Sequence, residues 1–122
     1  MRGIRGAITI KNNTKEEVFA AVRWMVTEMC RHNGVTPENI GAVIFSATED
    51  VTAAFPAAGA RQIPGFTAVP LFDTRQMDVD DSLPLCIRAL LLADTEKKQQ
   101  DIRHVYLGGA ANLRPALNRY GP

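Results

Sequence analysis

The chain has 122 residues, of which 46% are hydrophobic, and its 14 lysine and arginine residues nearly balance its 13 aspartate and glutamate residues. A chain of this length is enough for one domain with a modest core, and this apolar fraction argues against disorder. The near-neutral charge gives no electrostatic case for a nucleic acid or an anionic membrane as a partner. We therefore predict one domain over residues 1–122.

The two cysteines, Cys30 and Cys86, form neither a disulfide framework nor a zinc-binding pattern. We interpret them as reduced core residues. No apolar stretch follows a basic start of the chain, and no run of residues reaches the length of a membrane span. The sequence therefore predicts a cytoplasmic protein without a membrane segment, and no pattern of residues indicates a metal or a cofactor.

The first part of the chain predicts a strand followed by a long helix. Isoleucines recur on one face of residues 3–11, as expected of a strand that packs against a core. Thr14 and Glu17 form a capping-box pattern, in which Thr14 accepts from the Glu17 amide while Glu17 reaches back. The apolar positions that follow have helical spacing, and Gly34 is a typical left-handed end. We expect this helix to span residues 14–33 and to cover one face of a sheet.

The middle of the chain predicts shorter elements. A proline at the first helical position predicts a single turn at residues 36–39. The apolar run at residues 42–48 predicts a strand buried on both faces, and a short helix is expected after Pro56. Residues 66–72 have the composition of a strand, but Pro70 predicts either an edge strand or the start of a loop. We expect another subunit to cover such an edge strand.

The last third of the chain is less clearly patterned. Residues 85–93 are apolar and leucine-rich, and composition leaves helix and strand as alternatives. Residues 102–107 predict a strand, and the segment 108–122 is expected to be an irregular, mobile tail. The acidic turn at residues 78–82 lacks the glycine and the distal glutamate of a calcium loop, so we do not interpret it as a metal site.

One arginine, Arg88, lies inside the apolar run at residues 85–93. A guanidinium is rarely buried without an anionic partner. Arg88 therefore either pairs with an internal aspartate or glutamate or is held ready for an anionic ligand. A local cluster of cations in a neutral chain suits a small anion, and we predict that the fold collects further side chains around one small dicarboxylate, namely Arg5, Arg61, Tyr106 and Arg114.

Six blocks of the sequence have a recognisable pattern, in order and without a large gap from residue 2 to about residue 117. They are RGIRGA (2–7), the segment from SATED (46–50) to FPA (55–57), MDV (77–79), CIR (86–88), IRHVYL (102–107) and LRP (113–115). With these blocks the chain closely resembles the AroH-type, Bacillus-like monofunctional chorismate mutases.

The resemblance implies an α+β fold, in which one long helix crosses a mixed five-stranded sheet, and it favours a strand at residues 86–93. It also implies a homotrimer whose sheets surround the threefold axis as a pseudo-α/β barrel, the bacillus chorismate mutase-like (chorismate mutase II-like) fold. Each active site would lie between two subunits. Strand geometry would then place four side chains on one face, those of Cys86, Arg88, Leu90 and Leu92.

The activity implied is the Claisen rearrangement of chorismate to prephenate in aromatic amino-acid biosynthesis, without a cofactor. Such a catalyst holds the flexible side chain of the substrate over its ring and stabilises charge as the ether bond breaks. By resemblance, Arg88 contacts the ether oxygen and a carboxylate, and Arg5 and Tyr106 bind the side-chain carboxylate. The substrate-binding residues that the resemblance implies are Phe55, Ala57, Leu71 and Leu113 as apolar walls, Ala58 and Phe72 beside them, Arg61 near the mouth and Arg114 in a closing tail.

The sequence departs from the family pattern at three site positions. Gln76 stands where the family usually has a glutamate that accepts a hydrogen bond from the ring hydroxyl and balances positive charge. Asp73 stands where a small residue such as cysteine is common, and Ala58 where a charged or polar residue is common. We predict that Asp73 of the neighbouring subunit replaces the missing carboxylate. The alternative is a solvated carboxylate at the end of a loop.

Two other functions stay open at this point. The chain could be a binding or regulatory protein that kept the fold and the arginines but lost efficient catalysis through Asp73 and Gln76. It could also be a relative that acts on another chorismate-like acid. Binding of the ligand without turnover would indicate the first function, and a preference for another acid would indicate the second.

Overall fold

A computed structural model describes residues 1–112 of the chain, in which the strands form one mixed sheet. The order of the strands is β3-β2-β4-β1-β5; β4 is antiparallel to β1 and β2, whereas β1/β5 and β2/β3 are parallel pairs. This is the predicted α+β arrangement of a five-stranded sheet and one long helix. The elements are β1 (Arg2–Thr9), α1 (Lys15–Asn33), β2 (Ile40–Ala47), α2 (Pro56–Arg61), β3 (Leu71–Arg75), β4 (Cys86–Ala93) and β5 (Val105–Leu107).

The long helix α1 has the predicted ends. The Thr14 side chain accepts a hydrogen bond from the Glu17 amide at 3.2 Å, and Gly34 has a left-handed φ of 63°. The Glu17 carboxylate differs from the prediction, because it accepts from the amides of Lys11 and Asn12 rather than from that of Thr14. The Asn12 and Lys11 amides hold the pKa of Glu17 below its usual range. Glu17 therefore joins the end of the first strand to the start of the helix.

The core lies between α1 and one face of the sheet. Apolar residues of the helix recur at the three- and four-residue spacing of an amphipathic helix, while those of the strands alternate. This face therefore buries the isoleucines of residues 3–11 and the apolar stripe of α1 that the sequence assigned to a core. The buried residues include Val18, Val22, Met25, Val26 and Met29 of α1 and Ile4, Ile8, Val43, Phe45, Ile87 and Leu91 of the strands.

The opposite face of the sheet, which we call the open face, has no helix across it in the described part of the chain. Three large apolar side chains lie in a row on it and remain exposed: Ile44 by 36%, Leu90 by 37% and Phe72 by 65%. The prediction that residues 42–48 are buried on both faces is therefore wrong for a single chain. The reason is that the chain supplies one helical layer for a sheet with two apolar faces.

The edge strand β3 begins later than the sequence predicted. Residues 66–69 form turns, and regular pairing starts only after Pro70, whose carbonyl oxygen accepts from the Val43 amide at 3.0 Å. A proline has no N–H to donate to a ladder, so the strand starts beyond it. The predicted position at the edge of the sheet is confirmed.

The leucine-rich run forms β4, a central strand, and resolves the alternative between helix and strand. It pairs along most of its length with both β1 and β2, so ladder formation outweighs the helix propensity of its leucines. The strand expected at residues 102–107 is shorter, at Val105–Leu107, and a 3₁₀ helix at Gly108–Asn112 follows it. Residues 113–122 lie outside the described residues, so a mobile tail stays a prediction.

Both cysteines are free thiols, as the sequence predicted. Cys86 is buried, and burial raises the pKa of the half-buried Cys30 to about 11. A thiol with this pKa is protonated at neutral pH and is therefore a poor nucleophile. Over residues 1–112, no helix has the combination of length and apolar character that a bilayer span requires.

Candidate active site

Arg88 projects from the central strand β4 onto the open face. It lies between Ala7 of β1 and Ser46 of β2, two small residues that leave room above the sheet. Burial raises the pKa of the neighbouring Cys86 thiol, and the guanidinium of Arg88 opposes that shift. Arg88 is half-buried, and its Nε atom is fully buried without a hydrogen-bond partner among the described residues.

No carboxylate pairs with Arg88 within residues 1–112. The ion pairs found there join Glu28 to Arg31 and His32, at the end of α1. An internal ion pair for Arg88, one of the two alternatives left by the sequence, is therefore wrong for the described part of the chain. A buried guanidinium N–H without a partner is costly, and an anionic ligand would satisfy it.

Arg5 lies on the same face as Arg88, one strand away. Arg5 is exposed and pairs with Leu90 of β4. Arg5 and Arg88 both line a cavity of about 240 Å³. The backbone N–H of Arg5 donates to Nδ1 of His104 at 2.9 Å. His104 takes the place of a ladder partner here, since pairing with β5 starts only one residue later. Sequence reasoning missed His104 because its partner lies 99 residues away.

Tyr106 completes a row across the open face. Its strand neighbour is Ala7, whose other neighbour is Arg88. Two strand spacings separate Tyr106 from Arg88, so their Cα atoms are about 10 Å apart. The tyrosine is only 3% exposed and packs against Ala7, Leu83 and Ala110. The structure therefore places Arg5, Arg88 and Tyr106 on one face of the sheet, and their role at a substrate stays a prediction.

Gln76 reaches the same region from the end of β3. The backbone amide of Gln76 donates to the carbonyl of Ala47 at 2.9 Å. Gln76 and Arg88 both line a cleft of about 620 Å³. The buried Oε1 atom of Gln76 has no hydrogen-bond partner among the described residues. Ser46, the last residue of β3 and the loop after it provide the rest of the lining. In the sequence, parts of these segments were quoted only as family blocks or as an acidic turn, and no role in the site was predicted for them. One cleft therefore contains a buried donor, from Arg88, and a buried acceptor, from Gln76.

A second group of predicted residues lies around α2 and β3. Oδ1 of Asp73 accepts a hydrogen bond from the Ala57 amide at 2.9 Å. Burial raises the pKa of Asp73 above its usual range, although the Ala57 amide and the charge of Arg61 act against this. Asp73 and the 73%-exposed Phe55 line a cavity of about 490 Å³. Asp73 is therefore an anchor for the start of α2 and is not a fully solvated carboxylate.

The remaining predicted residues divide between these two places. Arg61 is exposed at the end of α2, Ala58 is half-buried in that helix, and Ala57 is buried. Leu71 is half-buried against the core, whereas Phe72 is exposed on the open face beside Ile44. Leu113 and Arg114 lie outside the described residues.

Asp73 and Arg88 point to opposite faces of the sheet. Asp73 pairs with Phe45, which is buried in the core, whereas Arg88 pairs with Ser46 on the open face. Because side chains alternate along a strand, neighbours in a ladder share a face. One chain therefore does not bring Asp73 to the cleft that contains Arg88 and Gln76.

The fold and the site define a small α+β protein with an arginine-lined cleft on the uncovered face of its sheet. A family model described as chorismate mutase type I matches residues 1–117. The chain is 48% identical over 118 residues to chorismate mutase AroH of Thermus thermophilus, and the aligned region covers 96% of each chain. It is 37% identical over 118 residues to chorismate mutase AroH of Bacillus subtilis, which covers 97% of this chain and 93% of that one.

A solved structure has the same fold. The chorismate mutase from Clostridium thermocellum matches with a TM-score of 0.89 and 40% identity, over 92% of this chain and 99% of that one. The near-complete coverage in each comparison includes the strands and the helix that position the cleft. The chain belongs to the type I chorismate mutase family.

Proposed function

We propose that this protein catalyses the rearrangement of chorismate to prephenate. The observation that carries the proposal is that the buried Nε of Arg88 and the buried Oε1 of Gln76 share a cleft and that neither has a hydrogen-bond partner within residues 1–112. The rearrangement is unimolecular and pericyclic, so it needs no protein nucleophile. Its catalyst has to restrict a flexible substrate and stabilise the charge that develops as the ether bond breaks.

Four polar side chains of the candidate site have a role in this proposal. Arg88 donates to the ether oxygen, where negative charge develops, and to a carboxylate of the substrate. Arg5 and Tyr106 bind the carboxylate of the side chain that folds over the ring. Gln76 accepts a hydrogen bond from the ring hydroxyl. A fixed guanidinium in a cleft of low polarity stabilises charge more strongly than the same group in water.

A homotrimer with active sites between subunits is part of the proposal. Two observations support it: the exposed apolar row of Ile44, Phe72 and Leu90 needs a cover, and the two groups of site residues lie on opposite faces of one sheet. The neighbouring subunit would supply the second group, with the tail closing over the substrate. That group comprises Phe55, Ala57, Leu71 and Asp73, with Ala58 and Arg61 of α2 beside them, and the tail residues are Leu113 and Arg114. Phe72 is outside this group, because it lies on the open face beside Ile44.

The direct test of the function is the loss of the ultraviolet absorbance of chorismate in the presence of purified protein. Acid conversion of the product to phenylpyruvate identifies it as prephenate. Rapid loss above the uncatalysed background is the expected result. A folded protein that binds chorismate without turnover would instead be a binding or regulatory relative, and turnover of another chorismate-like acid would change the substrate. A cytoplasmic location and a role in aromatic amino-acid biosynthesis stay predictions.

The proposed replacement of the missing carboxylate by Asp73 can be tested with a charge-specific substitution. Asp73→Asn keeps an oxygen that can accept from the Ala57 amide but removes the negative charge. If the charge acts on the substrate, Asp73→Asn lowers kcat/KM more than Gln76→Ala does. Because burial raises the pKa of Asp73, its carboxylate takes up a proton at a higher pH than an ordinary aspartate does. If the charge acts on the substrate, the wild-type rate therefore also falls as the pH is lowered through this pKa.

The order of the two effects decides the role of Asp73. A larger loss in Gln76→Ala would refute the replacement and leave Asp73 as an anchor of α2. Asp73→Ala is the matched control for that anchor, because it removes both the charge and the acceptor. Near-normal kinetics of Asp73→Asn with impaired kinetics of Asp73→Ala would indicate positioning alone.

A further inference from the structure

The residue that precedes β4 has an unfavourable backbone conformation. Leu85 has a φ of 48°, in the left-handed region that side-chain-bearing residues seldom adopt. Leu85 is three positions before Arg88, and its carbonyl oxygen accepts from the Ile10 amide at 2.9 Å. A bulky residue keeps such a conformation only where its surroundings enforce it.

Asp50 provides this constraint. Both carboxylate oxygens of Asp50 accept from the Leu85 amide, Oδ1 at 3.1 Å and Oδ2 at 3.0 Å. The Thr48 hydroxyl donates to Oδ1 of Asp50 and accepts from the Cys86 amide at 3.0 Å, and the Thr48 amide donates to the Cys86 carbonyl at 3.0 Å. These bonds join the end of β2 to the start of β4. We call the set of Thr48, Asp50, Leu85 and Cys86 the latch.

The latch also closes the loop that connects Gln76 with Arg88. The backbone amide of Gln76 donates to the carbonyl of Ala47, the last residue of β2, so both ends of the loop attach to the short segment formed by residues 47–50. Ala47, Thr48 and Asp50 therefore hold both ends of the stretch from residue 76 to residue 85. The distance between the buried acceptor of Gln76 and the buried donor of Arg88 depends on these two attachments.

We propose that Asp50 is a positioning residue for the reaction at this cleft. It holds the strained Leu85 amide and so fixes where β4 starts and how Arg88 faces Gln76. Both of its carboxylate oxygens accept from the Leu85 amide, and Oδ1 also accepts from the Thr48 hydroxyl, so its described hydrogen bonds are to the chain itself. This inference rests on the proposed chorismate mutase activity, since its readout is the rate of that reaction.

The test uses Asp50→Asn, which keeps the size of the side chain but can offer only one oxygen to Leu85 and loses the charge. Misplacement of a reacting group lowers the rate of the bound substrate, so we expect kcat to fall about tenfold with a smaller change in KM. Asp101→Asn, the same change at an exposed position in a turn, should keep wild-type kinetics. Both variants are assayed well below their thermal midpoints, so that the rate and not the folded fraction is compared.

A second substitution separates positioning from general stability. Glycine adopts a left-handed φ without steric strain, so Leu85→Gly reduces the need for the carboxylate. Adding Leu85→Gly to Asp50→Asn should restore most of kcat. Leu85→Gly also removes a half-buried side chain that packs against the core, so this single variant is assayed below its own thermal midpoint, where its kcat should stay close to wild type. If Asp50→Asn does not fold, Thr48→Val removes the hydroxyl at the centre of the latch and should show the same fall in kcat.

Each result decides the inference. A wild-type kcat in Asp50→Asn, or in Thr48→Val where the first variant does not fold, would overturn it and leave the proposed function intact. A reduced kcat without recovery in the double variant would also overturn it, because strain at Leu85 would then not be the cause. Absence of turnover in the wild type would overturn the proposed function and this inference together.

Discussion

Replacing Arg88 by alanine is expected to lower kcat by about 10²–10³-fold or more, because it removes a cation aimed at the charge that develops in the transition state. The side chain lies on the open face without an ion pair among residues 1–112, so its removal breaks no salt bridge there. The measurement is the initial rate of chorismate loss at saturating substrate. A thermal midpoint close to that of the wild type would show that the fall in rate comes from the site.

Lysine at this position is a second test of the same role. Arg88→Lys keeps the charge but loses the planar pair of donors and the buried Nε, so we expect it to be badly impaired as well. Arg23→Ala, a change of an exposed arginine on α1, is the matched control and should leave the rate unchanged. Near-normal turnover in either Arg88 variant would contradict its assignment to the reaction.

Mixing two inactive variants is expected to restore activity if each site is shared between subunits. Arg88→Ala damages the group on the open face, and Phe55→Asp places a carboxylate in the second group, where it would repel a dianionic substrate. Phe55 is 73% exposed, so this change costs little stability. In randomly mixed trimers about three quarters contain both variants, with one intact site in three, which predicts about a quarter of the wild-type activity.

The control for this experiment pairs two changes in the same group. Arg5→Ala mixed with Arg88→Ala provides no intact site in any trimer and should stay inactive. The variants are co-expressed or refolded together, and the mixed oligomer is isolated before the assay. Activity no greater than that of the separate variants, in an oligomer shown to contain both, would place the whole site within one chain.

The local sequence was sufficient to predict those elements whose determining residues lie within a few positions of one another. The capping residue Thr14 and the stop at Gly34 fixed α1, because both act within a few residues of the helix ends. A single arginine within the apolar run identified Arg88 as unusual, and the ordered blocks of residues identified the family. The local sequence could not decide between helix and strand for that run, because the pairing with β1 and β2 determines that it is a strand.

The sequence by itself thus determined the family, the long helix and the identities of the cations. Only the tertiary structure decided which of them face one another. The β2/β3 register turned Asp73 towards the core side while β4 turned Arg88 to the open face, and a shift of one residue in either pairing would reverse these directions. Contacts such as those of Asp50 with Leu85 and of Arg5 with His104 join residues far apart in the chain, so no local pattern specifies them.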